Sequence, residues 1–124
     1  MTEAAPAGSA ARRRRYHRGY RAEWIAAAFL TLKGFRVIGR RVQTPLGEID
    51  LIAVRGSRIA FVEVKARGDR AEAEAALRPS QGRRMRLAAE YWLGHRPRYR
   101  AHERGFDAVL VLRGIWPCHL KNRM

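Results

Sequence analysis

Cysteine is nearly absent from this chain. The single Cys118 rules out an intramolecular disulfide, so no disulfide framework can hold the fold, and the composition fits a reducing compartment. Acidic residues are also scarce. Eleven Asp and Glu face 26 Lys and Arg, a formal net charge of +15. Residues 1–18 hold five arginines and one glutamate, +4 of that total, which leaves +11 on the remainder. Such a field favours a polyanion, most simply DNA or RNA. A ribosomal or anionic membrane surface is the blander alternative, and charge alone does not choose among them.

Long apolar runs are missing as well, and none reaches the length of a bilayer span. Arg12 to Arg15 precede the apolar stretch Trp24 to Leu32, an order reminiscent of a twin-arginine export signal. Glu23 borders that stretch, Lys33 closes it, and no small-residue cleavage site follows, so a cytoplasmic protein is expected. His17, His95, His102 and His119 have no metal-binding spacing and are expected on the surface or in the tail. Cys118 is expected to pack as a small apolar group. Trp24, Trp92 and Trp116 are expected as core or interface anchors.

What is present suffices for one compact domain, since 47% of the 124 residues are hydrophobic. Residues 1–18, rich in Ala, Gly, Pro, Ser and Arg, read as a flexible basic tail able to touch phosphates nonspecifically. Residues 19–124 read as a single domain without internal repeat. The spacing predicts a helix over 20–33, with Ile25, Ala28, Phe29 and Leu32 as its apolar stripe and Gly34 as its cap. Strands are predicted near 35–43, 48–54 and 59–67, separated by Thr44-Pro45-Leu46-Gly47 and Arg55-Gly56-Ser57-Arg58. Residues 68–77 read as a mobile connection. A second helix runs from Pro79 or Ser80 to Leu93, and Phe106 to Leu112 reads as a strand buried on both faces. Residues 116–120 add a short edge strand. The class is α/β, with a mixed sheet flanked by helices in the order α-β-β-β-α-β.

The chemistry gathers in Gly47-Glu48-Ile49-Asp50-Leu51-Ile52 and Phe61-Val62-Glu63-Val64-Lys65. Side chains alternate along a strand, so Glu63 and Lys65 share a face, and a hairpin lets Asp50 join them. Two carboxylates and an ammonium on one patch are costly to desolvate without a purpose. A divalent cation supplies one. The competing reading is a solvated sheet face with an ordinary cross-strand ion pair. Glu48 is expected to face away from Asp50 and serve the turn, and Asp107 to be the structural partner of an arginine.

Asp on the second strand followed by Glu-x-Lys on the third resembles the PD-(D/E)XK superfamily, the restriction-endonuclease-like fold. More closely, the chain resembles the YraN-like bacterial family, predicted endonucleases distantly related to archaeal Holliday junction resolvases. The resemblance covers roughly residues 19–113. It rests on Gly19 with Glu23, on residues 47–52, on Phe61 to Arg67 and on Phe106-Asp107, in that order and spacing. It implies Asp50 and Glu63 as catalytic metal ligands and Lys65 as the residue that orients water or stabilises the scissile phosphate. The Val64 carbonyl would complete the coordination shell of Mg²⁺ or Mn²⁺, and Glu23 would be an auxiliary ligand. Gln81 stands near the site where the pattern favours Lys. Gly105 stands where it favours Arg, with Arg104 one position earlier.

The expected function is therefore metal-dependent hydrolysis of phosphodiester bonds in structured or branched DNA. Gln81, Arg83, Arg84, Arg86 and Arg67 would grip nucleic acid through phosphates that carry no sequence information. No dedicated base-reading motif accompanies them, and cutting two strands would call for a homodimer. The alternative is a nucleic-acid-binding module of the same fold without turnover.

Overall fold

The computed structural model describes residues 21–124. The tail assigned to 1–18, with Arg12 to Arg15 and His17, lies outside the described residues. Helix α1 spans 21–32 and ends at Gly34, whose φ of 94° suits a residue without Cβ. Strands β1 (Arg36–Thr44), β2 (Gly47–Arg55) and β3 (Arg58–Arg67) follow as an antiparallel meander. The chain then crosses over through helices α2 (Arg70–Ala75) and α3 (Pro79–Gly94) and a 3₁₀ turn, Pro97–Tyr99. It returns as β4 (Glu103–Leu112), parallel to β3, and closes with β5 (Cys118–Leu120), antiparallel to β4. The parallel β3–β4 pair needs such a crossover, and the strand order is β1-β2-β3-β4-β5. The α/β class and mixed sheet expected from the sequence are what the chain forms.

Strand alternation divides the core in two. Ile52 and Val54 of β2 with Ile59 and Phe61 of β3 pack against Met85, Ala88, Ala89 and Trp92 of α3. The intervening Leu51, Ala53, Ala60 and Val62 pack against Ala26, Ala27 and Leu30 of α1. The two helices thus cover opposite faces of the sheet. By the same parity Asp50, Glu63 and Lys65 belong to the α3 face.

Two expectations are corrected here. The buried face of α1 is Ala22, Ala26, Ala27 and Leu30, whereas Ile25 and Leu32 are exposed. Alanines let the helix lie close to the strands, so the bulkier stripe is displaced to the rim. Residues 68–77 contain the helix α2, begun by Asp69, whose carboxylate accepts the Glu72 N–H at 2.9 Å. Ala73 anchors α2 on Leu110 and Leu112 of β4, together with Cys118 at the edge. Of the three tryptophans only Trp92 is core. Trp24 is 52% exposed beneath the Arg40 guanidinium and Trp116 is 74% exposed.

Asp107 is fully buried at the β3–β4–β5 junction. Its Oδ1 accepts from Arg58 (2.8 Å) and the Asn122 N–H (2.9 Å). Its Oδ2 accepts from Arg58 (3.0 Å) and lies 2.8 Å from His119 Nε2. The Lys33 ammonium, a donor only, lies 2.6 Å from His119 Nδ1, which places the ring proton on Nε2, facing Asp107. Burial raises the Asp107 pKa, but the bonds from His119, Arg58 and Asn122 outweigh it and hold the carboxyl well below the usual carboxylate range. With all four acceptor positions used, Asp107 is structural, as expected. His119, expected at the surface, has a side chain only 3% exposed because Asp107 draws it inward.

Gly105 makes room for this cluster. A Cβ there would fall on the Arg58 guanidinium, closer than any real contact. The variant Gly105→Ala should displace Arg58 from Asp107 and cost about 1–3 kcal/mol in chemical denaturation. An Arg58→Gln, Gly105→Ala double variant should lose little more than Arg58→Gln alone.

Candidate metal and phosphate site

The β2–β3 ladder is paired from Arg55–Arg58 to Leu51–Val62, one step short of Asp50 and Glu63. Beyond that step the Asp50 carboxylate takes the place of a backbone acceptor, and its Oδ2 receives the Val64 N–H at 2.8 Å. A residue's N–H and C=O point to the same side of a strand, so the Val64 carbonyl points towards β2 as well. Asp50 and Glu63 line one recess of about 200 Å³, roofed by Gln81, Arg84 and Met85 of α3. Lys65 Nζ lies 3.3 Å from Glu63 Oε2, and the two side chains are only 14% and 17% exposed. That shielding argues against a solvated ion pair on an open sheet face.

The electrostatics of the recess are unfavourable when it holds protein alone. Burial, then the neighbouring Glu63 charge, push the Asp50 carboxyl up to about 7. The Val64 N–H opposes this shift, while Glu23 and Glu48 add to it. A carboxylate whose charge is disfavoured by a second carboxylate is poised to accept a cation or a proton.

Glu48 lines the same recess, contrary to the expectation that it faces away. It is two residues from Asp50, and that spacing returns a side chain to the same face. Glu23 does not line the recess. It comes from α1, on the opposite face of the sheet, is 8% exposed, and pairs with Arg41 at 3.3 Å. Burial raises its pKa, partly offset by Arg41.

Among the described residues no three His, Cys, Asp or Glu side chains assemble into a metal-binding group. The donors on the recess fit a hard cation that keeps several waters, since Mg²⁺ is commonly held by one or two carboxylates plus substrate phosphates. The arginines divide between neighbouring surfaces. Gln81 and Arg84 border the acidic recess and also an adjoining one that contains Lys65, Arg67 and Arg78. Arg83 and Arg86 face a third recess. Gln81 is also structural, because its Oε1 accepts the Arg78 N–H at 3.2 Å and caps α3. No described helix is long and apolar enough to cross a membrane.

The sequence profile described as uncharacterised protein family UPF0102 matches residues 22–111. A UPF0102 protein of Mesorhizobium japonicum is 48% identical over 114 residues, 92% of this chain and 91% of the relative. One from Chelativorans is 48% identical over 111 residues, 90% of each chain. One from Methylobacterium radiotolerans is 43% identical over 121 residues, 98% of this chain and 94% of its own. The YraN-like resemblance drawn from the motifs is thereby borne out.

Proposed function

Starting from a chain that belongs to uncharacterised protein family UPF0102, we propose a metal-dependent endonuclease that hydrolyses phosphodiester bonds in structured or branched DNA. The observation that carries this reading is the convergence of Asp50 and Glu63 on one shielded recess, with Lys65 beside them and a cationic rim outside.

Asp50, Glu63 and the Val64 carbonyl would hold Mg²⁺ or Mn²⁺. When bound, the ion neutralises charge developing on the phosphate and lowers the pKa of a coordinated water. Lys65, held 3.3 Å from Glu63, orients the attacking water and stabilises the phosphate oxygens. Gln81 and Arg84 hold the phosphate from the α3 side, and Arg67 and Arg78 extend that grip. Arginine contacts of this kind position a strand without reading its sequence.

The test is cleavage of a panel of duplex, single-stranded, flap and four-way-junction DNA with Mg²⁺, Mn²⁺ or chelator. Wild-type protein should cut at least one branched substrate only with metal. Asp50→Asn and Glu63→Gln should each lose about 10³-fold or more in rate, and Lys65→Gln about 10²-fold or more. A second reading is a nucleic-acid-binding module without turnover, favoured by the absence of a three-donor group among the described residues. It predicts salt-sensitive binding that is indifferent to chelator, with no product.

A further inference from the structure

Three recesses adjoin around the first half of α3. The acidic one shares Gln81 and Arg84 with the recess containing Lys65, Arg67 and Arg78. That second recess shares Arg78 with a third, of about 370 Å³, walled by Arg78, Arg83, Arg86 and Arg123. The third recess has an apolar floor in Leu77, Pro79 and Met124. Its one acidic side chain, Glu74, is already bonded to Arg123 at 2.8 Å and to Arg70 at 2.6 Å. Arg86 is fixed in place, stacked over Phe106 at 5.3 Å and bonded to the terminal main-chain oxygen of Met124. The first turn of α3, which all three recesses border, carries no acidic residue.

We propose that one unpaired strand of the nucleic-acid substrate leaves the Asp50–Glu63 recess, passes over the start of α3 and enters the Arg78–Arg83–Arg86–Arg123 recess. The inference rests on the hydrolytic reading for its starting point. It adds the path of the strand and the substrate feature that path requires, an unpaired arm next to the cut.

Two properties select a single strand. The cationic groups lie in consecutive recesses, which matches charges repeated once per nucleotide better than a single anionic group. The third recess is bounded by the α2–α3 connection on one side and by Arg123 and Met124 on the other. It has room for a nucleotide, not for a base-paired helix. Its apolar floor can meet sugar and base while the arginines hold phosphate.

The test measures binding of fluorescent single-stranded oligonucleotides across a salt series, with chelator present so that cleavage plays no part. Wild-type protein is compared with Arg78→Gln/Arg83→Gln. Arg96→Gln/Arg100→Gln, at the opposite end of α3, controls for loss of two charges, and thermal melts establish that both fold. Two lost phosphate contacts should reduce the salt slope by about 1.4 and affinity by about tenfold or more. The control should keep its slope. Equal losses in both double variants, or an unchanged slope in the first, overturn the path. If the slope falls as expected and no substrate is ever cut, the path stands and the hydrolytic reading fails. If cutting depends on Asp50 while the slope does not move, the path alone fails.

Discussion

Asp50→Asn is expected to make the metal-free protein more stable, by about 2–4 kcal/mol near pH 8. The folded carboxyl titrates at about 7 against an ordinary 3.8, because burial and Glu63 both disfavour its charge. A raised carboxyl pKa means that the folded state binds the proton more tightly than the unfolded chain. Stability therefore falls as pH rises from about 4 through about 7, and the full penalty is present above that range. The amide removes the penalty and still offers an oxygen to the Val64 N–H. Thermal melts of wild type and variant should converge near pH 4 and separate progressively up to pH 8. Mn²⁺ should raise the melting temperature of the wild type and leave the variant unmoved. A variant less stable than wild type at pH 8 would show that the carboxylate serves the fold and not a cation.

The second large effect has the opposite sign. Asp107→Asn should destabilise the protein by about 3–5 kcal/mol, because the amide turns donors towards Arg58, His119 or the Asn122 N–H. Asp107 titrates below its ordinary value. Its contribution is complete above about pH 4 and is lost as pH falls further towards its folded value. The two aspartates therefore work against each other in acid, where protonation relieves Asp50 and dismantles the Asp107 cluster. Hydrogen exchange should locate the damage. Amides of β4 next to Cys118–Leu120 should lose protection before those of β2. Uniform loss across the sheet would contradict a local role for Asp107.

These contrasting aspartates show how far a sequence of this kind can be read. The strands carrying Asp50, Glu63 and Lys65 are dense in β-branched residues, and two-residue alternation fixes which side chains share a face. Placement of the acidic pair was legible for that reason. The role of Asp107 as an arginine partner was legible too, because a carboxylate opening an apolar strand needs a counter-charge. The partners themselves were not. Arg58 lies 49 positions away in sequence, and His119 reaches Asp107 only because β5 pairs with β4. Gly105 was the available signal, since a glycine within an apolar strand marks a close approach.

The face of α1 was misread because small alanines, not the largest apolar residues, define how closely a helix can approach a sheet. Helix α2 was hidden by Gly68 and Pro79 on either side, although Asp69 three residues before Glu72 is an N-cap spacing. Glu23 was given a place by family pattern; it lies outside the lining of the recess and pairs with Arg41, but its charge still acts on Asp50. Glu48 was dismissed although its spacing from Asp50 already placed the two together.

The central claim is that Asp50 and Glu63 jointly form a pocket for a divalent cation. Calorimetric titration of chelator-treated protein with Mn²⁺ near pH 8 tests it most directly. The account predicts saturable binding by wild-type protein that disappears in both Asp50→Asn and Glu63→Gln, with each variant folded. Binding that survives either substitution, or no binding by wild type with or without DNA, would contradict it.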